Sequence, residues 1–217
     1  MTGAGPVRRG ASRAPHVCTP MIIRPGRHPV AGYTLIELMC ALALAATLVG
    51  ISIPATRATV DEIRAAAAAR DMAARIGLAR LDAVRRSSAF AYRFVPDGTD
   101  YRFTAHVDGN GNGVRTIEIA NGVDQTVAPA EALRDKYPGV RFGLRSGLPD
   151  LAGGRGSEEG VRIGSSRILT VSPDGSATSG TLYVRGSHSQ YAVRVLGATG
   201  RTRVFRYDTG LNRWQAR

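Results

Sequence analysis

The sequence predicts an α+β fold, in which a long N-terminal helix packs on an antiparallel C-terminal β-sheet domain. The first half of that helix is expected to lie in a membrane, because residues 33–53 form an apolar run with one charged residue. An alanine-rich segment, residues 54–86, follows with apolar residues at helical spacing. Residues 87–217 then alternate short β-type runs with glycine-rich turns, which is typical of an antiparallel domain.

Length and composition narrow the class of protein. The chain has 217 residues, 43% of them hydrophobic and 21% charged, which suits one domain with an accessory segment or two small domains. This composition excludes a collagen-like, a fully disordered or a multi-span membrane protein. The 2 cysteines exclude a disulfide scaffold.

The formal net charge of +12 is concentrated at the two ends of the chain. Residues 1–32 contain five arginines and no acidic residue, and residues 185–217 contain seven arginines and one acidic residue. Residues 33–184 carry 17 basic and 16 acidic residues and are nearly neutral. A nucleic-acid or membrane-surface partner is therefore suggested at the ends only.

Three interpretations fit the apolar run. The first is a secretory signal peptide that is removed, the second is a permanent anchor, and the third is a signal that is cut before the run, so that the run stays in the mature protein. The preceding arginines predict a cytoplasmic N terminus and, in a bacterium, a single-pass inner-membrane protein with a periplasmic C-terminal domain. Glu37 favours the third kind, because a carboxylate in an apolar run is costly and the first two kinds do not need it.

The motif Gly-Tyr-Thr-Leu-Ile-Glu-Leu at residues 32–38 resembles the cleavage motif of type IV pilins and type II secretion pseudopilins. The resemblance implies that a prepilin peptidase cuts after Gly32 and methylates the new amine of Tyr33, where the family usually has Phe. Residues 1–32 are then the leader. Met21 is a possible true start, which leaves a leader of 12 residues.

Glu37 has a chemical reason to lie in this run. After the cut, Tyr33 carries an ammonium group, and the side chain of Glu37 leans toward it and toward the positive end of the helix dipole. The resemblance implies that Glu37 pairs with the amine of a neighbouring subunit in a filament. The alternative is an interfacial carboxylate whose side chain reaches water.

Residues 54–86 are expected to continue the helix. Pro54 predicts a kink or local melting, and the resemblance extends to it because pilins often carry a proline at this distance from the cut and use this segment in assembly. We interpret one apolar stripe as the face that packs on the sheet: Val60, Ile63, Ala67, Ala74, Leu78, Leu81 and Val84.

The C-terminal domain is predicted from its runs and turns. The predicted strands are residues 89–95, 101–107, 116–119, 140–144, 168–171, 181–185, 191–196 and 203–207. Residues 146–160, which include five glycines, are expected to be a mobile loop. Residues 78–86 and 168–184 resemble the GspH/FimT branch of the family. The resemblance implies a minor pseudopilin of a type II secretion system near the tip of its filament, with a FimT-type minor pilin of a type IV pilus as the alternative.

The motif Gly-Arg-Thr-Arg at residues 200–203 is similar to one in FimT-type minor pilins that bind DNA. Arg201 and Arg203 share one face of a strand, and guanidinium groups donate bidentately to phosphate. Arg194 and Arg206 are candidates to widen this patch, although the alternation along the strand leaves its register open. The alternative is a solvated strand edge whose charges discourage aggregation.

Other motifs point away from catalysis and metal binding. Asp108-Gly-Asn-Gly-Asn-Gly resembles the start of a calcium loop, but the required Glu is one residue early, at Glu118, so a hairpin loop is the better interpretation. No motif of a nucleophile or a metal site is present, so we expect neither an enzyme nor a cofactor. The resemblance implies pilin-like subunits, the prepilin peptidase, an assembly platform and the inner membrane as partners.

Overall fold

The computed structural model describes residues 32–217, except for the side chains of residues 51–55. The predicted leader, with its possible start at Met21, lies outside the described residues apart from Gly32. The chain divides into two compact units, of which the first ends at Ala45 and the second spans Ala46–Arg217.

One helix, α1, spans Leu35–Arg86, so the predicted long N-terminal helix is confirmed. The helix is continuous through Pro54, so the predicted local melting is wrong; the predicted kink stays a prediction, and the side chains of residues 51–55 lie outside the described residues. It ends where Ser87 takes a φ of 50°, the left-handed conformation that commonly closes helices. The amide of Ser88 then donates to the carbonyl of Ala83 at 3.2 Å, which satisfies one of the last helical acceptors.

Ten strands and three short helical segments follow α1. The strands are β1 Phe90–Asp97, β2 Asp100–Val107, β3 Gln125–Ala132, β4 Arg141–Phe142, β5 Val161–Arg162, β6 Ile168–Val171, β7 Gly180–Arg185, β8 Gln190–Leu196, β9 Arg201–Asp208 and β10 Arg213–Ala216. The helices are α2 Thr116–Ala120, α3 Leu133–Lys136 and a 3₁₀ turn Gly197–Thr199.

The described strands form two antiparallel sheets. The first has the order β3-β2-β1-β6, and the second has the order β10-β9-β8-β7-β4, with β5 also paired to β7. Each pairing between these strands is antiparallel, which confirms the predicted α+β class. Both sheets contribute to one core together with α1, including Phe94 and Phe103 of the first sheet and Leu182 and Val193 of the second.

The predicted sheet-packing stripe of α1 is wrong. The buried face consists of small residues around Met72 and Ile76: Ala65, Ala68, Ala69, Ala79 and Ala83. Ile63, Leu78 and Leu81 are instead 62%, 61% and 61% exposed. The reason is packing volume. Large aromatic side chains, among them Phe103 and Phe142, fill the space under the helix, so its contact face must be small.

Polar contacts fasten α1 to the domain along the same side. The Asp61 carboxylate accepts the amides of Ser187, His188 and Ser189 at 2.6, 2.9 and 3.1 Å, which holds the turn between β7 and β8. Further along, Arg75 pairs with Glu131 of β3 at 2.8 Å. These contacts, together with the ion pairs of Glu62 with Arg206 and of Asp71 with Lys136, help the apolar core to set the orientation of α1 on the sheets.

The predicted strand over residues 116–119 is wrong, because this segment is helix α2. Its amides bond locally: Ile119 donates to the carbonyl of Arg115 at 2.9 Å, and Asn121 donates to that of Ile117 at 3.0 Å. A run of β-branched residues predicts a strand only where a neighbouring strand completes its hydrogen bonds.

Candidate functional site

The first candidate site is the start of α1. The amide of Glu37 donates to Oγ1 of Thr34 at 3.3 Å, and the amide of Leu38 donates to the carbonyl of Thr34 at 3.1 Å. Thr34 is therefore the N-cap of the helix, and Glu37 lies in its first turn. A negative carboxylate at this position is stabilised by the helix dipole.

Tyr33, immediately before the cap, is exposed, and a Cβ added to Gly32 would meet no atom within 4 Å. The bond between Gly32 and Tyr33 thus precedes the helix and is accessible. Thr34 was missed as a site residue in the sequence, although the spacing Thr-x-x-Glu is a known signal for a helix start.

The first unit presents its large apolar side chains to the surroundings. Leu35, Ile36, Leu38 and Leu42 are all exposed, and they lie on different sides of α1. Within the part of the chain that the structure describes, no helix is both long and apolar enough to cross a membrane. The assignment of residues 33–53 as a membrane span remains a prediction, and the side chains of residues 51–53 lie outside the described residues.

The second unit carries an exposed aliphatic stripe on α1, formed by Val60, Ile63, Leu78, Leu81 and Val84. We call it the outer stripe. It lies on the face of the helix opposite the alanine-rich core face. Large aliphatic side chains exposed together on one face mark an interaction surface more often than isolated ones do.

Three of the four predicted C-terminal arginines share one surface. Arg194 of β8 lies directly opposite Arg203 of β9, and Arg201 is two residues before Arg203 on the same face. All three side chains are exposed, and none has a carboxylate within ion-pair distance among the described residues. Ala192 and Phe205 lie on the same side of the sheet as these arginines, two residues away along each strand, and pack in a small apolar cluster there.

Arg206 does not belong to the arginine face. It lies opposite Tyr191, on the side of the sheet that faces α1, and it pairs with Glu62 at 2.8 Å. The structure therefore corrects the predicted patch of four arginines to a face of three. Side chains alternate between the two faces of β9, so Arg206 lies on the opposite face from Arg201 and Arg203. The sequence alone does not say which face is which.

The glycine-rich segment after β2 is a loop that two buried carboxylates organise. Asp108 accepts the amides of Gly111 and Gly113 at 2.8 and 2.7 Å, while Asp124 accepts that of Arg115 at 2.8 Å. Burial raises the pKa of Asp108, but the backbone amides of this loop together lower it by more, so the net pKa is below the usual value. The segment is followed by helix α2 rather than the predicted strand, and the described residues contain no group of three or more His, Cys, Asp or Glu placed to hold a metal.

The comparisons with known proteins concern the N-terminal segment. A family model described as the prokaryotic N-terminal methylation motif matches residues 27–53. The match supports a type IV pilin-like protein, a class whose members are structural proteins rather than enzymes and interact with other pilins and with a prepilin peptidase. No curated protein and no solved structure matches the chain at a significant level.

Proposed function

We propose that this protein is a minor pseudopilin of a type II secretion system, a structural subunit of GspH type. It is processed after Gly32, methylated at Tyr33, and added near the tip of a short periplasmic filament that exports proteins. The match to the methylation motif supports the coarser class of pilin-like protein. The resemblance of residues 78–86 and 168–184 to the GspH/FimT branch supports the finer assignment.

One observation carries the role as a filament subunit. Both described parts of α1 expose large aliphatic side chains, while the core face of the same helix already holds the sheets. Exposed rows of this kind are costly for a protein that stays alone in water. They are suited to a membrane before assembly and to the helices of neighbouring subunits afterwards.

In this proposal, Glu37 determines how neighbouring subunits pair in the filament. Cleavage creates an ammonium group on Tyr33, and a subunit that enters the filament brings its amine into an apolar surrounding, where an unpaired charge is costly. The carboxylate of Glu37 on a neighbouring subunit is the matching partner. Its place in the first turn of α1 keeps it near the helix start, where such an amine has to arrive. Pro54 is the second residue that we assign to assembly, as a place where the helix adapts to its neighbours.

An alternative is a FimT-type minor pilin that assists pilus biogenesis or binds DNA for uptake. The arginine face favours it, because Arg194, Arg201 and Arg203 are exposed together without carboxylate partners among the described residues. Such a face attracts the phosphate backbone in a salt-dependent manner. Secretion-channel genes beside this gene favour the first proposal, whereas twitching or competence genes favour the alternative.

Processing and assembly are tested separately. Gly32→Glu should leave a full-length precursor when the chain is co-expressed with a prepilin peptidase, whereas Gly32→Ala keeps a small residue and serves as the matched control. Product of mature size from Gly32→Glu contradicts the proposed cut.

For assembly, Glu37→Ala should insert into the membrane as the wild type does and fail to enter filaments. Immunoblots of membrane and sheared-filament fractions measure both steps. Wild-type incorporation of Glu37→Ala contradicts the role that we give to this carboxylate.

A further inference from the structure

A second group of arginines lies at the opposite end of the six-stranded sheet from the arginine face. Arg141 of β4 lies directly across from Arg185 of β7, and Arg145 follows four residues after Arg141. The three side chains are half-buried. Burial, followed by the positive charges of Arg141 and Arg145, lowers the pKa of Arg185, with Glu158 acting in the other direction.

Two of these guanidinium groups, those of Arg141 and Arg145, donate to neutral acceptors. Nη1 of Arg141 donates to Oγ1 of Thr99 at 3.0 Å, and Nη1 of Arg145 donates to the carbonyl of His188 at 2.7 Å. Within the described part of the chain, none of the three has a carboxylate within 4.0 Å, although seven other basic residues do. The group therefore concentrates positive charge without a direct ion pair among the described residues, and Glu158 acts on Arg185 only from beyond 4.0 Å.

His188, whose carbonyl accepts from Arg145, also links this group to residues 57–64 of α1. His188 lines a surface groove together with Arg57 and Arg64 of α1. The one carboxylate in this groove, Asp61, already accepts three backbone amides and the hydroxyl of Ser189, so it is directed at the turn. Arg57 follows the predicted membrane span by four residues. We call the five arginines the basal rim: Arg57, Arg64, Arg141, Arg145 and Arg185.

We propose that the basal rim binds the phosphate groups of anionic lipids in the leaflet from which the helix emerges. Guanidinium groups donate two parallel hydrogen bonds to a phosphate, and several arginines at a membrane surface add their attractions to an anionic headgroup layer. The rim lies next in the chain to the predicted span, so the tether keeps it near that surface. This inference rests on the proposed membrane anchor, and its consequence is that the unassembled subunit holds its domain against the membrane.

The test uses the full chain in lipid nanodiscs, with hydrogen exchange of residues 138–145 and 185–190 as the readout. Discs of phosphatidylglycerol are compared with discs of phosphatidylcholine. Exchange should be about threefold slower in phosphatidylglycerol at low ionic strength, and this difference should disappear at about 0.5 M salt. The triple variant Arg141→Gln, Arg145→Gln, Arg185→Gln should exchange equally in both lipids.

The matched control is Arg194→Gln, Arg201→Gln, Arg203→Gln, which removes the same charge at the other end of the sheet and should retain the lipid difference. Equal exchange of the wild type in both lipids overturns the proposal, whether or not the triple variant folds. Loss of the difference in the control variant also overturns it, since net charge is then sufficient. Slowing in phosphatidylcholine discs by inorganic phosphate alone overturns the assignment to lipid. Protein that stays outside the discs contradicts the anchor itself.

Discussion

The amide of Glu37 donates to Oγ1 of Thr34 at 3.3 Å, so the proposed assembly carboxylate is one residue of a helix cap. Glu37 lies in the first turn of α1, three residues after Thr34, which is the spacing of a capping box. In the proposed function, cleavage places an ammonium group on Tyr33, directly before this cap. We expect the Thr34 hydroxyl to keep the first turn formed when the Glu37 carboxylate pairs with an amine.

The first prediction concerns this cap. Thr34→Val keeps the shape of the side chain and removes the hydroxyl, so the first turn should be destabilised by about 1 kcal/mol. Hydrogen exchange of the amides of residues 35–38 in detergent micelles should be about fivefold faster, while residues 42–48 stay unchanged. Thr34→Ser retains the hydroxyl and serves as the control. Unchanged exchange in Thr34→Val means that the cap does not hold the first turn.

The second prediction separates the two faces of α1. The double variant Leu78→Ser, Leu81→Ser changes only exposed positions of the outer stripe, so the free energy of unfolding should change by less than about 0.5 kcal/mol per site. Filament incorporation should nevertheless fall, because the proposed subunit contacts lose apolar area. Met72→Ala on the core face is the counterpart, and it should lower the free energy of unfolding by about 2–5 kcal/mol.

Urea unfolding in micelles and immunoblots of sheared filaments measure these two effects. Normal incorporation of the Leu78 and Leu81 variant contradicts the role of the outer stripe.

The sequence of α1 predicts the helix but not the face that it buries. Its apolar spacing and its alanines indicate a helix, whereas the buried face depends on the rest of the fold. The largest aliphatic residues gave the stronger stripe, and Leu78 and Leu81 belong to it, while the true core face around Met72 is mostly alanine. Large side chains of distant strands, among them Phe103 and Phe142, fill the core that α1 faces, so small residues fit against them.

Among the candidate sites, the sequence predicts the one that depends on a local motif and not those that depend on strand pairing. Glu37 was found because a lone carboxylate in an apolar run is conspicuous, and the motif around it is local. The strand register that removes Arg206 from the arginine face depends on pairing with β8, which the sequence of β9 alone does not specify. Arg141 and Arg185 are 44 positions apart in the chain and meet through β4 and β7, so no local pattern indicates their contact.

The third prediction is a dependence of stability on pH through His106. This side chain is 2% exposed and bonds to the hydroxyls of Thr104 and Thr126 at 2.7 and 3.3 Å. Burial, followed by the charge of Arg93, lowers its pKa from the usual 6.5, and the neutral ring is therefore the folded form.

Because the unfolded chain binds this proton more readily, the stability that His106 contributes is complete above pH 6.5 and is lost as the pH falls toward the lowered folded value. Urea unfolding at pH 7.5, 6.5 and 5.5 measures this loss. His106→Gln should remove most of the slope between pH 6.5 and 5.5, whereas the exposed His188→Gln should keep it. An equal slope in His106→Gln contradicts the assignment.

The fourth prediction concerns the contact of Asp61 with the turn between β7 and β8. Burial raises the pKa of Asp61, but the amides of His188 and Ser187 and the hydroxyl of Ser189 lower it more, so it lies below the usual 3.8. The stability that it contributes is present above pH 3.8 and is lost as the pH falls through the folded value.

Asp61→Asn should therefore lower the free energy of unfolding at pH 7 by about 1–3 kcal/mol, since an amide side chain satisfies the same donors less well. Glu62→Gln, at the adjacent surface ion pair with Arg206, is the control and should cost less than about 1 kcal/mol. Equal costs in the two variants mean that the turn does not depend on the Asp61 carboxylate.

The last prediction decides whether the arginine face binds DNA. Arg194 and Arg203 lie side by side, so each is expected to neutralise one phosphate, and the variant Arg194→Ala, Arg203→Ala should lower the slope of log affinity against log salt by up to about 2. Titration of labelled duplex DNA at several salt concentrations, with the full chain in micelles, measures this slope. Arg141→Ala, Arg145→Ala removes the same charge at the other end of the sheet and should leave it unchanged. If the wild type does not bind at low salt, the uptake alternative is eliminated and the arginine face is a solvated strand surface.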